Sequence, residues 1–504
     1  MSTPTTSLAN RILLLNTLAF TVCFAAWMIN GVLVTYLVDN GVFKWSVVEV
    51  GFLLGVPVLV GAIARLPVGI LTDRYGGRWV MTVLLVVSAI PLFMLSGANS
   101  YSGFLGLSFV FGLAGSTFAT GVAYTSLWFP KEKQGTALGI FGAGNIGASM
   151  TTLFAPTILN KLTHNGTQLE GWRTLPQLYA GLLLIMAVAF FLGTQNKKPA
   201  ESKTMSQRLA PLKEMRVWRF GLYYFFVFGS FVALAQWLIP YYVNVYTMSI
   251  VSAGFMATAF SLPAGLVRIG GGLLADKFGA RILLLWVFGV CIVCLFFLFP
   301  PRMEIMAPGE GITAKGAGIV KDVQPDGILI DDVQYALQQR GGEGSEAVIS
   351  FGIKKDRESF LLLPNASFWH EAQVEPGDSI SKGQLIAKGA THIYFQANKW
   401  IFSALVFIIG IMMGIGSASV FKHISDYYPA NIGTVGGIVG VLGGLGGFFC
   451  PIIFGYLLKL TGVWTSCWMF LAVVALFCIV FQRIAIKAVI QAEAERQRTP
   501  GALL

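Results

Sequence analysis

The chain has 504 residues, of which 55% are hydrophobic and only 12% are charged. Soluble domains carry about 25% charged residues, so this composition excludes a soluble enzyme and indicates a membrane protein. The formal net charge of +11 is spread over basic clusters that are not interleaved with aromatic residues, which excludes a nucleic-acid-binding surface.

Twelve apolar runs of about 20 residues follow one another, and each is long enough to cross a bilayer as a helix. We number them spans 1 to 12, and they lie at 12–36, 47–71, 79–97, 103–127, 136–160, 175–194, 219–243, 249–273, 281–300, 400–421, 433–458 and 463–487. The first run is too long for a cleavable signal peptide and eleven others follow it, so we expect it to be retained.

Basic residues collect in the loops that follow even-numbered spans, which places these loops and both termini in the cytoplasm. They are Arg74, Arg78, Lys131, Lys133, Lys197, Lys198, Lys203, Arg208, Lys213, Arg216, Lys277, Arg496 and Arg498. We therefore expect a multi-pass protein of a bacterial inner membrane. The six cysteines all fall within spans, where cysteine packs as a small apolar residue, so no disulfide, metal site or cofactor is expected.

Two segments, Gly61–Arg78 and Ala264–Arg281, are near copies at an offset of 203 residues, and they align Arg65 with Arg268. A guanidinium stays charged at physiological pH, so burying it in lipid costs several kcal/mol. Since Arg65 precedes Asp73 by roughly two helical turns, it lies close to the bilayer midplane. The pair predicts an anion site between two halves. The alternative is an arginine satisfied by backbone carbonyls or by a carboxylate, although no acidic residue lies mid-span.

A second pair of matching segments supports parallel repeats of six spans each. Gly139–Ser149 in span 5 matches Gly437–Phe449 in span 11 at an offset of 298 residues, so the second half holds 95 additional residues. The predicted fold class is an all-α membrane protein of two six-helix repeats with a small inserted all-β domain. The boundaries are 1–200 for the first bundle, 201–300 and 399–490 for the second, 301–398 for the insert and 491–504 for a cytoplasmic tail.

The insert differs in kind from the rest, because it holds 13 of the 24 acidic residues. Apolar residues alternate with period 2 around Ile319, Val323, Ile328 and Ile330, which predicts strands. Its segment Val374–Gly389 resembles the barrel-sandwich domains related to biotinyl and lipoyl carriers, without their modifiable-lysine hairpin. Because the insert follows an odd-numbered span, we expect it outside the cytoplasm, as a rigid cap or a docking module for a partner protein.

The loops Gly69–Arg78 and Gly272–Arg281 share the pattern G-x-x-x-D-[RK]-x-G-x-R. This pattern resembles the signature loop of the major facilitator superfamily, which follows the second and eighth helices. The resemblance covers all the spans and implies the major facilitator fold. In that fold, loop charges form contacts that break and re-form as one half rocks on the other. The gating residues it implies are Asp73, Arg74, Arg78, Asp276, Lys277 and Arg281.

Glycine-rich runs lie in spans 5 and 11, as GAGNIGAS and GIVGVLGGLGGFF. Small residues let helices approach closely, and the GxGxxG of span 5 lacks the strand–turn–helix context of a dinucleotide site. With one arginine in span 2 and one in span 8, the runs resemble the paired signatures of the nitrate/nitrite porter family. The signature glycines are Gly142, Gly144, Gly147, Gly440, Gly443 and Gly444.

This resemblance implies nitrate and nitrite as substrates and assigns roles to six side chains. The substrate-binding residues it implies are Arg65, Arg268, Asn145, Phe118, Phe228 and Tyr224. The two arginines would hold the anion oxygens from opposite halves, and the asparagine amide would donate a hydrogen bond. The two phenylalanines would lie against the flat faces of the anion, with the tyrosine as a polar neighbour. Without the resemblance, an aromatic residue at helical spacing is more often ordinary core than a ligand.

The chemistry of nitrate suits these residue types, because a planar guanidinium presents paired donors to a flat anion. Two fixed cations around one monovalent anion leave a surplus positive charge, so an empty carrier would reorient reluctantly. This favours exchange of nitrate for nitrite. Proton symport of nitrate stays open, since the family contains both modes, although the spans offer no obvious titratable group.

Two other functions compete with this interpretation. An exchanger of organic carboxylates would want a second deep cation in span 11, which has none before Lys459. An anion sensor would signal through the inserted domain without net transport, but the sequence has no cytoplasmic effector domain. We expect a monomer in the lipid bilayer, while the direction of net flux and the resting conformation stay open.

Overall fold

The computed structural model describes residues 6–199, 210–301, 303–339, 349–351, 365–395, 397–428 and 432–498. The chain divides into two compact units. The first, the membrane unit, comprises Met1–Phe299, Ser403–Thr461 and Ser466–Leu504, and the second comprises Pro300–Phe402 and Gly462–Thr465.

Spans 1 to 6 form the first half of the membrane unit. Their helices are Thr6–Trp27 and Ile29–Asp39 in span 1, Val47–Ile63 and Arg65–Tyr75 in span 2, Gly77–Leu95 in span 3, Tyr101–Phe111 and Thr117–Ser126 in span 4, Lys131–Gly142 and Gly147–Leu162 in span 5, and Thr174–Gly193 in span 6. Short 3-10 turns Leu169–Arg173 and Ala210–Lys213 precede spans 6 and 7.

Spans 7 to 12 form the second half. Their helices are Met215–Tyr224 and Ser230–Tyr246 in span 7, Ile250–Phe278 in span 8, Ala280–Phe297 in span 9, Lys399–Tyr427 in span 10, Ile432–Thr461 in span 11 and Ser466–Arg498 in span 12. Among the described residues, eleven segments are long and apolar enough to cross a membrane, and the bent pair of span 2 supplies a twelfth. The predicted fold class is confirmed, and the chain is an integral multi-pass membrane protein.

Span 12 is longer than hydropathy predicts, because its helix continues to Arg498 through the stretch predicted to start a separate tail at 491. The continuation is polar and rich in Ala, Glu, Gln and Arg, which favour helix without any apolar requirement. A hydropathy window detects the lipid-spanning part of a helix and not its aqueous extension.

Besides the break of span 1 at Met28, four spans are interrupted near their middle. Span 2 bends by 41° between its two helices, just before Arg65. Spans 4 and 5 pass through the 3-10 turns Gly112–Ser116 and Ala143–Ile146, and span 7 passes through the π-helical turn Phe225–Gly229. Such turns redirect side chains and free backbone groups, and they are frequent at functional sites. Each of these four interruptions contains, or lies within two residues of, a residue proposed above to bind the substrate.

The two halves pack together at the end of the spans opposite the signature loops. There, span 2 lies so close to span 11 that a Cβ at Gly51 or Gly55 would meet backbone atoms of span 11. Spans 5 and 8 are joined by a hydrogen bond of 2.8 Å between the hydroxyls of Thr152 and Thr258. The halves are therefore closed on this side of the unit.

The described residues of the second unit form eight strands, β1 Met303–Thr313, β2 Gly318–Gln324, β3 Gly327–Ile330, β4 Val333–Ala336, β5 Ile349–Phe351, β6 Asn365–Ala372, β7 Ser379–Ile380 and β8 Leu385–Phe395. They form two four-stranded sheets in the orders β5-β1-β8-β6 and β4-β3-β2-β7, and neighbouring strands pair antiparallel. The prediction of a small all-β region is confirmed.

One detail of the predicted alternation is wrong. Ile319 is 55% exposed, whereas Val320 is 1% exposed and packs in the core with Ile328 and Ile330. The register between β2 and β3 shifts between Val320 and Asp322, and this irregularity changes which residues face inward. A bulge moves every following side chain to the other face, so period 2 fails across it.

The paired ends of β1 and β8 provide a test of whether the insert folds separately from the membrane unit. Met303 lies opposite Phe395, so one short linker can replace everything between them. We predict that replacing 304–394 by a Gly-Ser linker leaves a monodisperse protein whose apparent Tm changes by less than about 4 °C. Cutting at Met303–Lys388 instead leaves part of β8 without its partner strand β1 and should aggregate more. Aggregation of both variants, followed by size-exclusion chromatography, would contradict the prediction.

Candidate functional site

Arg65 starts the second helix of span 2, directly after the bend, and its side chain is buried in the membrane unit. The residue is 5% exposed, and its Nη1 donates a hydrogen bond of 2.7 Å to the carbonyl oxygen of Gly440 in span 11. Its Cζ lies 5.2 Å from the ring centroid of Phe118 and 5.7 Å from that of Phe228. Its Nε is buried without a hydrogen-bond partner among the described residues. A backbone carbonyl thus satisfies part of the guanidinium and leaves a donor available.

Arg268 approaches the same aromatic ring from span 8. Its Cζ lies 5.5 Å from the centroid of Phe228, and its Nη2 donates to the hydroxyl of Tyr224 at 3.1 Å. The rings of Tyr224 and Phe228 are stacked, with centroids 4.8 Å apart and 7° between planes. Phe228 therefore contacts one guanidinium from each half, and these cation–π contacts stabilise each charge by about 0.5–2 kcal/mol.

Neither of these two arginines is neutralised by a carboxylate in the described part of the chain. The partners of Arg65 are a carbonyl and two phenyl rings, and those of Arg268 are a phenol and a phenyl ring. Two net positive charges consequently share one region of the protein. Because a buried charge without a counter-ion is costly, the arrangement is suited to hold a negatively charged ligand.

Asn145 is a further polar residue to consider here, and it lies in the 3-10 turn of span 5. It is 2% exposed, and neither its Nδ2 nor its Oδ1 has a hydrogen-bond partner among the described residues. Leaving such atoms unsatisfied costs about 1–3 kcal/mol each. The turn packs on span 8, where the Ile146 nitrogen lies 4.0 Å from a Cβ built on Gly265, three residues before Arg268. The free amide is available to a ligand.

Phe118 forms an aromatic wall beside Arg65. Its ring lies 5.5 Å from that of Phe20 and 5.9 Å from that of Phe141, and these two rings are 4.9 Å apart. Phe20 and Phe141 belong to spans 1 and 5 and were not identified from the sequence. Nothing in the sequence separates them from the other phenylalanines of the spans, since only the packing brings them to Phe118.

The glycines of span 11 make room for the residues around the two arginines. A Cβ at Gly443 would lie 2.2 Å from the Tyr224 ring, and one at Gly440 would lie 3.1 Å from Nη1 of Arg65. A Cβ at Gly444 would lie 2.5 Å from Cβ of Ala62 in span 2. Larger residues at these positions would displace the side chains that surround the guanidinium groups.

The glycines of span 5 do not all serve packing. A Cβ at Gly147 would lie 2.1 Å from the carbonyl oxygen of Thr21, and one at Gly144 would lie 2.5 Å from the Phe20 ring. A Cβ at Gly142 would meet no atom within 4 Å. Close packing against span 1 therefore explains Gly144 and Gly147 but does not explain Gly142.

The charged residues of the signature loops lie at the ends of the spans, away from Arg65 and Arg268. Asp276 pairs with Lys422 of span 10 at 2.9 Å, and Arg281 donates to the hydroxyl of Tyr427. Arg78 donates from Nε to the carbonyl oxygen of Phe191 at 2.8 Å. Arg74 and Lys277 lie over the rings of their neighbours Tyr75 and Phe278, and Asp73 lies near the end of its helix. Gly76 and Gly279, with φ of +92° and +81°, occupy conformations that require glycine.

The described residues contain no group of three or more His, Cys, Asp or Glu that could hold a metal ion. All six cysteines are buried free thiols.

Twelve spans in two repeats, with one arginine from each repeat on the ring of Phe228, define a membrane carrier. Residues 15–308 and 384–502 match the profile of the Major Facilitator Superfamily. The chain belongs to this superfamily and, within it, to the nitrate/nitrite porters.

Two relatives carry names that describe transport. A Thermus thermophilus protein named "Probable nitrate/nitrite antiporter NarK1" is 35% identical over 491 residues, covering 96% of this chain and 93% of the relative. The "Nitrite extrusion protein" of Bacillus subtilis is 29% identical, covering 67% of this chain and 82% of that protein. Among solved structures, a bacterial homolog of the human lysosomal transporter Spinster, in an inward-facing conformation, superposes with a TM-score of 0.61 at 14% identity, covering 96% and 98% of the two chains. This likeness concerns the fold alone.

The contrast between two glycines of span 5 gives a matched pair of substitutions. We predict that Gly147→Ala destabilises the protein by about 1–3 kcal/mol, because the added methyl group would overlap the backbone of span 1. Gly142→Ala should be neutral or slightly stabilising, since alanine favours helix and the space is open. Thermal unfolding of the purified proteins measures both. Equal Tm values for the two variants would contradict the packing described here.

Proposed function

We propose that this protein carries nitrate and nitrite across the membrane and exchanges one for the other by alternating access. The observation that carries the proposal is the meeting of Arg65 and Arg268, from opposite repeats, on the ring of Phe228 without a carboxylate partner among the described residues. The names of the relatives in Thermus thermophilus and Bacillus subtilis support the choice of substrate.

The donors suit a flat anion with several oxygens. The guanidinium of Arg65 retains a free Nε–H, and the amide of Asn145 has no partner in the described part of the chain. These two donors and the guanidinium of Arg268 belong to three different spans, and together they would bind the oxygens of one anion. Phe118 and Phe228 would cover its faces, and Tyr224 would hold Arg268 in position. Planar donors and aromatic walls favour nitrate or nitrite over bulkier anions.

Exchange follows from the charge of the site. One monovalent anion neutralises only one of the two guanidinium groups, and the empty site retains both charges. Arg65 donates a hydrogen bond to the carbonyl oxygen of Gly440, and this bond connects the two halves. We infer that the unloaded carrier changes conformation slowly and that an anion must be bound in both directions. No histidine lies at the site, since His423, the one histidine within a described span, belongs to the far end of span 10.

The geometry of span 11 disfavours an organic dicarboxylate as the substrate. Such an anion requires a further deep cation, and span 11 presents glycines toward Arg65 and Tyr224. A lysine at Gly440 would have to displace the guanidinium of Arg65, because even a Cβ there lies 3.1 Å from Nη1.

The distribution of basic loops supports a bacterial inner-membrane protein with both termini in the cytoplasm and the insert in the periplasm. With this orientation, the closed end of the membrane unit faces the periplasm, and the conformation is inward-facing. We propose that the protein works as a monomer and that the inserted domain docks a partner protein.

The proposed exchange is tested by counterflow into proteoliposomes. We expect vesicles loaded with nitrite to take up labelled nitrate quickly, and empty vesicles to take up little. The rate should stay constant between pH 6 and 8 and should not respond to an imposed pH gradient. Uptake into empty vesicles driven by a pH gradient would contradict antiport and would favour proton symport. Absence of flux from a folded protein that binds nitrate would favour a sensor.

A conservative substitution tests the two arginines. We predict that Arg65→Lys and Arg268→Lys each lower counterflow by at least about tenfold, because lysine keeps the charge but loses the planar pair of donors. Arg483→Lys serves as the control, since Arg483 is exposed on span 12. Size-exclusion profiles and Tm should match those of the unmodified protein. Counterflow at the unmodified rate in either variant would reject the proposed role of that arginine.

A further inference from the structure

A second, basic pocket lies where spans 7, 9, 10 and 12 meet at the signature-loop end of the membrane unit. Its polar lining consists of Arg216, Arg219, Tyr223, Arg281, His423, Tyr427 and Gln482. None of these residues belongs to the anion site proposed above. Arg216 and Arg281 are each the second residue of their helix, so the pocket lies at the level where the spans end.

The pocket concentrates positive charge. The Cζ of Arg216 lies 4.3 Å and that of Arg281 5.6 Å from the ring centroid of Tyr427, whose hydroxyl accepts a hydrogen bond from Arg281. Arg219 adds a third guanidinium, and the backbone oxygen of Arg281 accepts from Nε2 of Gln482 at 3.2 Å. None of the described residues that line the pocket is acidic. Three like charges held this close repel one another unless an anion lies between them.

The nearby carboxylates are engaged elsewhere. Asp276 and Asp426 both pair with Lys422, at 2.9 Å and 3.2 Å. Glu214 accepts a hydrogen bond from the hydroxyl of Tyr428. These contacts leave the arginines of the pocket without an internal counter-ion among the described residues.

Buried polar atoms in the pocket also lack partners. His423 is 3% exposed, its ring is stacked on that of Phe220 at 5.3 Å, and its Nε2 has no hydrogen-bond partner in the described structure. The hydroxyl of Tyr223, a residue 1% exposed, and Nε of Arg219 are likewise unsatisfied. Buried polar groups are normally paired, so unpaired polar atoms on residues that line a basic pocket indicate a site for a ligand.

We propose that this pocket binds a phosphoryl group, supplied either by the headgroup of an anionic phospholipid or by a soluble phosphate. Several guanidinium groups match a tetrahedral oxyanion with three or four acceptor oxygens, whereas a monovalent flat anion would leave most of the charge uncompensated. The pocket is flanked by Trp218, Ile282 and Ile484, which are 49%, 56% and 57% exposed and face the surroundings of the spans. A basic pocket between helices at the height of lipid headgroups is a known type of phospholipid site.

Titrations of the purified full-length protein in detergent test the proposal. The probes are inorganic phosphate, short-chain phosphatidylglycerol and, as a zwitterionic reference, short-chain phosphatidylcholine, with binding measured by calorimetry. We expect phosphatidylglycerol or phosphate to bind, and Arg219→Gln to weaken that binding by about tenfold or more. Arg483→Gln, which removes an exposed arginine beside Gln482, should leave it unchanged. Each titration is repeated with the Arg268→Gln variant. Binding that this substitution abolishes belongs to the site of Arg65 and Arg268 and not to the basic pocket.

The outcomes separate the two sources of the phosphoryl group. Binding of phosphatidylglycerol alone identifies a lipid headgroup, and binding of phosphate alone identifies a soluble ligand. Arg219→Lys distinguishes a ligand site from a structural role, because it retains the charge and should bind more tightly than Arg219→Gln at the same Tm. The proposal is overturned if neither probe binds, or if Arg219→Gln and Arg483→Gln bind equally well.

Discussion

Two guanidinium groups, the buried one of Arg65 and the half-buried one of Arg268, contact one phenyl ring of a membrane-spanning protein without a carboxylate to balance them in the described structure. Taking such a charge out of water costs several kcal/mol, and the surrounding groups offset only part of this cost. They are neutral groups that carry partial negative charge toward the cations, namely the faces of Phe118 and Phe228, the hydroxyl of Tyr224 and the carbonyl of Gly440. The rest of the membrane unit is arranged to bring these groups together.

The interruptions of the spans and the glycines perform this arrangement. The bend of span 2 directs Arg65 toward span 11, where glycine permits the carbonyl of the other half to approach. The π-helical turn of span 7 places Phe228 between the two cations, and the 3-10 turn of span 5 presents Asn145 beside span 8. A continuous helix would satisfy its own backbone but would fix these side chains at ordinary helical spacing.

Most of the architecture could be predicted from the sequence, because hydropathy, loop charge and internal repetition depend only on the order of the residues. The repeat also identified Arg65 and Arg268, since a charged side chain is costly in an apolar span and its duplication indicates a function. The partners could not be predicted. The carbonyl of Gly440, the rings of Phe20 and Phe141 and the basic pocket around Arg219 arise only from contacts between distant spans. The inward face of β2 was missed for a related reason, because a bulge beside Val320 changes the alternation locally.

The hydrogen bond between Arg65 and the Gly440 carbonyl has a consequence for the order of events during transport. The carbonyl oxygen accepts from Nη1 of Arg65, a donor that an incoming oxyanion would also use. The carbonyl therefore occupies a donor that the proposed substrate needs. Binding of the substrate and loss of the Arg65–Gly440 hydrogen bond between the halves then become a single competitive step. Under the proposed mechanism, the anion that displaces the Gly440 carbonyl would also remove this connection between the halves and allow them to move.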